Sequence, residues 1–160
     1  MIARLADESA IRRLVSAYCD AVNRLDADSA AALFAPDAVI RIADFPEIAG
    51  QAAIAEGLRG TFARAGFLFQ QCDTGLIDIA GDRAHARLSV FETMRGANDQ
   101  GIALIFGFYE DEYVRLAAGW RFARRRYTLR LRTRHAADKV QDVVGFMPAR
   151  KFGPDPSGFD

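Results

Sequence analysis

Lysine is nearly missing from this chain of 160 residues: of its 21 basic side chains only Lys139 and Lys151 are lysine, and the remaining 19 are arginine. Two cysteines, Cys19 and Cys72, are too few for a disulfide scaffold, and reduced thiols in a cytoplasmic protein are the expectation. With only two histidines, His85 and His135, and no C-x-x-C pair, a zinc site of His and Cys is not expected; no metal or cofactor is expected for the chain. The formal net charge is +0, which removes the positive excess that a nucleic-acid or membrane-surface binder needs. No apolar run approaches the roughly 18–20 residues of a membrane span. The opening residues MIARLADESA lack the apolar core of a signal peptide.

What remains has ordinary globular proportions, 51% hydrophobic and 26% charged, at a length that fits one domain. The front half reads as helical. Ile11, Leu14, Val15, Tyr18, Val22 and Leu25 recur at helical spacing over 7–25, with Asp7 or Ser9 as N-cap. A short helix at 28–35 capped by Asp26 or Asp28 and stopped near Pro36, a strand at 37–43 and a helix at 51–64 come next. The back half alternates, predicting strands at 67–79, 83–95, 101–115 and 119–134 with turns at Gly81-Asp82, Gly96–Asp99 and Ala118-Gly119. Long sequential strands on short turns imply an antiparallel meander, and three preceding helices imply an α+β domain over 1–134. The segment 135–160, rich in Pro and Gly, reads as an irregular tail.

Alternation then sorts side chains between the faces of the sheet. In the last strand the odd positions Arg121, Ala123, Arg125, Tyr127, Leu129 and Leu131 face inward. Arg124, Arg126, Arg130, Arg132 and Arg134 face outward. If Val114 opposes Trp120, Glu110 lies opposite Arg124 and Tyr109 opposite Arg125. Continuing the face of Ala84, Ala86, Leu88 and Val90 turns Glu92 inward, and one register sets Gln70 against Glu92 and Cys72 against Val90. Gln70, Glu92, Tyr109, Arg125 and Tyr127 therefore share the inner face. Two explanations stand: a concave pocket, or a satisfied internal Glu–Arg–Tyr network. The opposite face of 101–115 carries Ile102, Leu104, Phe106 and Phe108, so a second cover is expected, either the tail or a second copy packed sheet to sheet as a homodimer or higher oligomer.

The segments IRRLVSAYCDAVNRLDADSAAALFAPDAVI (11–40), LIDIAGDRAHARLSV (76–90) and GFYEDEYVRLAAGWRFARRRY (107–127) resemble the SnoaL-like branch of the nuclear-transport-factor-2-like superfamily. That group includes polyketide cyclases, ketosteroid isomerase, scytalone dehydratase and hexachlorocyclohexane dehydrochlorinase. The resemblance implies a cystatin-like α+β barrel: a cone-shaped, curved antiparallel sheet packed on three N-terminal helices around a central pocket. It also implies a small hydrophobic or aromatic substrate. In the dehydratase and dehydrochlorinase members a His–Asp pair abstracts a proton. The matching positions here are Gln70 and Asn23, and an amide takes no proton near neutral pH. Arg125 matches a pocket arginine, Tyr18 a tyrosine that frames the pocket, and Tyr109 lies in a recurrent G-x-Y-x-D segment.

In the candidate site, Glu92 is the relocated acid or base, Arg125 stabilises developing negative charge, and Tyr109 and Tyr18 donate hydrogen bonds to substrate oxygen. Asn23, Gln70, Asp44, Cys72 and Tyr127 line the substrate site; a loop acid and a structural thiol are the plainer readings of Asp44 and Cys72. The expected activity is a cofactor-independent lyase, eliminating water or formaldehyde from a small aromatic or polyketide-like molecule. A cyclase or isomerase of the same fold and a non-catalytic binding module are the alternatives.

Overall fold

The computed structural model describes residues 2–42, 45–73, 75–98 and 101–136. Helix α1 (Ile2–Asn23) starts a full turn earlier than expected. Asp7 does not cap it; its carboxylate accepts from Arg115 Nη1 (2.6 Å) and Trp120 Nε1 (3.1 Å), fastening the helix to the far hairpin. Ile11, Leu14, Val15, Tyr18 and Val22 are buried as their spacing requires. Leu25 is not part of that face: the chain leaves the helix with Leu25 in the left-handed region (φ 56°), and its side chain is partly exposed. Helix α2 (Ala27–Ala31) is capped by Asp26, whose carboxylate accepts from the Ser29 amide at 2.9 Å.

Strand β1 (Phe34–Ile42) begins before Pro36, so the proline does not stop the helix but sits in an irregular stretch of the strand. Strand β2 (Ile48–Ala49) and helix α3 (Gln51–Phe62) come after it. The single strand expected at 67–79 is two, β3 (Ala65–Cys72) and β4 (Leu76–Ala80). The break falls at Gly75, which has φ +57° and packs so closely on Leu88 and Arg87 that a Cβ has no room. Strands β5 (Arg83–Gly96), β6 (Ile102–Leu116) and β7 (Gly119–His135) complete the sheet.

The sheet order is β2-β1-β7-β6-β5-β3, with β4 also paired to β5. The expectation of an all-antiparallel sheet fails at one place: β1 runs parallel to β7, Ile40 beside Arg125 and Ile42 beside Tyr127. The β6–β7 register also differs from the expected one. The turn places Arg115 opposite Trp120, and two bulges lie further along. Tyr113 pairs with Phe122 but Glu112 with Arg124, leaving Ala123 over; Gly107 pairs with Leu129 but Phe106 with Leu131, leaving Arg130 over.

Each extra residue flips the face of the positions beyond it. Trp120 and Phe122, not Arg121 and Ala123, are therefore buried. Leu131 leaves the inner face, while Arg132, opposite Ile105, and Arg134, opposite Ala103, join it. The helices cover the concave face, and Tyr18, Phe34, Tyr113 and Phe122 form an aromatic floor in edge-on and tilted contacts.

Candidate functional site

The β3–β5 register sets Gln70 opposite Glu92 and Cys72 opposite Val90, as read from the sequence. Gln70 is the hub. Its Nε2 donates to Glu92 Oε1 (2.6 Å) and to the Tyr109 hydroxyl (2.8 Å). Its Oε1 accepts from Cys19 Sγ at 3.8 Å. Asn23, at the end of α1, clamps the backbone of the same residue: its Oδ1 accepts from the Gln70 amide (2.6 Å) and its Nδ2 donates to the Gln70 carbonyl (3.0 Å). The two amides thus meet, but as a helix-to-strand clamp.

Glu92 is half-buried, and its second oxygen accepts from the Tyr127 hydroxyl at 2.7 Å. Burial, then the Glu92 charge, raises the Tyr127 pKa, so this phenol stays a donor. Burial also holds Tyr109 well above its ordinary value, with neighbouring Tyr18 and Glu92 adding to the effect and Arg125 opposing it. Beyond Glu92 and Tyr127 the same face continues through Leu68, Met94, Ile105 and Leu129 to Arg132 and Arg134. On this face Ile105 is buried, and Leu129, opposite Gly107, is 47% exposed.

Arg125 faces inward but is enclosed. It is 2% exposed, pairs with Asp111 through Nε (2.8 Å) and Nη2 (2.7 Å), and lies over the rings of Tyr18 (4.3 Å), Tyr109 (3.8 Å) and Phe122 (4.3 Å). Burial alone works against its charge; Asp111 more than offsets this. Its expected neighbour across the strands, Tyr109, pairs with Tyr127 instead, and Glu110 pairs with Arg126, not Arg124, at a loose 3.8 Å.

Asp111 and Cys19 are the residues sequence reasoning passed over. Both were within reach: Asp111 is two positions after Tyr109 on one strand face and ends the G-x-Y-x-D segment, and Cys19 is one helical turn before Asn23. Tyr18 is 5% exposed and packs in the aromatic floor. Asp44 lies outside the described residues.

Two hollows flank this network. One, of about 390 Å³, runs between α1 and the β3 edge and is lined by Ser16, Cys19, Asn23, Gln70 and Cys72 among others. The other, about 470 Å³, is on the opposite face of the sheet, lined by Asp78, His85, Arg87, Glu110, Glu112, Arg124 and Arg126. There the acids of β6 lie between the bases of β5 and β7, in the rows Arg87–Glu110–Arg126 and His85–Glu112–Arg124. No cluster of three or more metal-ligating side chains occurs among the described residues. No helix among them is long and apolar enough to cross a membrane.

Helices on the concave face of a curved, unclosed sheet, with polar groups gathered on that face, define a nuclear-transport-factor-2-like architecture. The model of the SnoaL-like domain matches residues 3–126, and the chain belongs to that family. An uncharacterised protein of Mycobacterium tuberculosis is 28% identical over 126 residues, 78% of this chain and 86% of the relative. Among solved structures, a hexachlorocyclohexane dehydrochlorinase from Novosphingobium barchaimii superposes with a TM-score of 0.78 at 18% identity, covering 89% of this chain and 97% of that one. A scytalone-dehydratase-like protein of Novosphingobium aromaticivorans gives 0.77 at 23%, covering 81% and 88%. A nuclear-transport-factor-2-like protein with a cystatin-like fold from the same organism gives 0.64 at 24%, covering 80% and 84%. At these identities the structures establish the fold.

Proposed function

We propose that the chain is a cofactor-independent lyase acting on a small oxygenated aromatic or polyketide-like molecule, with Glu92 as the proton-transferring group. One observation carries the reading: a half-buried carboxylate, gripped by Gln70 Nε2 and the Tyr127 hydroxyl, shares the inner face of the sheet with the part-exposed Leu129. Each carboxylate oxygen keeps a lone pair free of these two bonds, so Glu92 can take a proton from a ring or side-chain carbon set against Leu129. Tyr127 and Gln70 would fix its orientation, and neutral Tyr109 would hold Gln70. Arg125 acts in this scheme as a positioning residue, because its guanidinium is spent on Asp111 and the aromatic floor.

The replacement of the dyad by Asn23 and Gln70, both locked into structural bonds, favours a second reading as a binding module without turnover. A panel of small hydroxylated aromatic ketones, followed by absorbance and product mass, separates the two. Glu92→Gln should lower turnover by about 100-fold or more while leaving the circular dichroism spectrum intact. Equal rates in Glu92→Gln and wild type would overturn the role of Glu92. Retention of a panel compound with no product would establish the binding module.

A further inference from the structure

We propose that Cys19 and Cys72 form a peroxide-sensitive dithiol that closes to an intramolecular disulfide between α1 and β3 and, in closing, withdraws the thiol that holds Gln70. The placement rests on two periodicities. Cys19 and Asn23 are four residues apart on α1 and share a helix face. Gln70 and Cys72 are two apart on β3 and share a strand face. Asn23 clamps the Gln70 backbone and Cys19 Sγ donates to Gln70 Oε1 at 3.8 Å, so the helix face that carries Cys19 is held against the strand face that carries Cys72. Both are partly exposed and line the same hollow of about 390 Å³, wide enough to admit a peroxide.

The pair is chemically unequal. The neighbouring Cys72 thiol lowers the Cys19 pKa against the opposing effect of burial, and the positive Arg125 assists. Cys72 is raised, first by the neighbouring Cys19 and then by burial. Cys19 is therefore the attacking thiolate. Its sulfur displaces hydroxide from hydrogen peroxide, giving a sulfenic acid; the hydroxide takes the proton Cys19 released and leaves as water. The Cys72 sulfur then attacks the sulfenyl sulfur. The S–S bond forms, the S–O bond breaks, and the second water carries away the Cys72 proton. The two thiols lose two electrons and the peroxide gains them.

Oxidised Cys19 has no S–H, so Gln70 Oε1 loses its donor, and the residue that orients Glu92 through a 2.6 Å bond is freed on that side. The effect on activity rests on the lyase reading; the disulfide does not.

The test therefore uses no substrate. Reduced full-length protein is treated with one equivalent of hydrogen peroxide, alkylated and digested with trypsin. The expected product is one disulfide joining the peptides 14–24 and 65–83, with loss of both alkylatable thiols and recovery on dithiothreitol. Cys72→Ser should instead trap a dimedone adduct at Cys19. Two alkylated cysteines after peroxide, separate sulfinic acids, or links only between chains would each overturn the proposal. In nuclear magnetic resonance spectra the Gln70 side-chain amide signals should shift on oxidation of the wild type and stay fixed in peroxide-treated Cys19→Ser/Cys72→Ser protein. A disulfide that forms without moving those signals would refute the coupling to the site.

Discussion

Asp111 is the residue on which the buried charge of this protein depends. Arg125 sits under an aromatic layer, and its Nη1 has no hydrogen-bond partner among the described residues, so the two bonds to Asp111 are the main compensation for its desolvation. Asp111 also accepts from the Tyr113 hydroxyl at 3.0 Å, which ties the pair into the floor. Removing one partner of such a pair strands the other without compensation. Asp111→Ala should cost about 3–5 kcal/mol, read as a lower urea midpoint at an unchanged slope. The double change Asp111→Leu/Arg125→Met should recover most of that loss, because an apolar pair needs no compensation. A single Asp111→Ala costing under about 1 kcal/mol would show that the rings, not the carboxylate, hold the guanidinium.

At the scale of elements, helix positions and the β3–β5 pairing were legible because periodicity and a short turn set them locally, and Gln70, Glu92, Tyr109 and Tyr127 came together as alternation required. Strand β7 was legible only between its two bulges, where Arg125, Tyr127 and Leu129 take the inner face that alternation assigns them. Nothing local in GWRFARRRYTLRLR marks Ala123 or Arg130 as the surplus residue; the choice is made by partners on β6 and β1, including Gly107, where a Cβ would meet the Thr128 carbonyl at 2.5 Å. That is why Asp111 was missed as the mate of Arg125 and why Arg132 was assigned to the wrong face. Asp7 was misread as a cap for a similar reason, since its partners lie more than 100 positions away.

The Asp7 tether is a pH-dependent one. The Arg115 hydrogen bonds, then that of Trp120, lower the Asp7 pKa in the folded chain. A depressed carboxylate stabilises the fold above its ordinary value near 4 and loses that contribution as the pH falls through the folded value. Trp120 is the sole tryptophan, so its fluorescence reports on this joint. Asp7→Asn should unfold more readily than wild type at pH 6, and the two curves should converge at low pH. A constant difference across the titration would show that the carboxylate charge plays no part.

For the whole molecule, the outer face of the sheet separates into two regions. Toward the β4 end, the acids Glu110 and Glu112 of β6 are flanked by Arg87 and His85 of β5 and by Arg126 and Arg124 of β7. Toward the other end, Phe91 and Phe106 stack at 5.0 Å, Phe106 lies opposite Leu131, and Phe69, Phe106, Phe108 and Leu131 are 37–55% exposed. An apolar patch beside an interleaved charge ladder is self-complementary, which is what a two-fold interface needs. We propose that a second copy of the chain covers it. Light scattering after size exclusion should give twice the chain mass for wild type and the single mass for Phe106→Arg, with the helical content of both unchanged. A chain ending at Ala136 should remain a dimer. If that truncated chain is monomeric, the interface is built from residues 137–160 and not from the aromatic rows of β5 and β6. If wild type is itself monomeric at every concentration, no second copy covers the face.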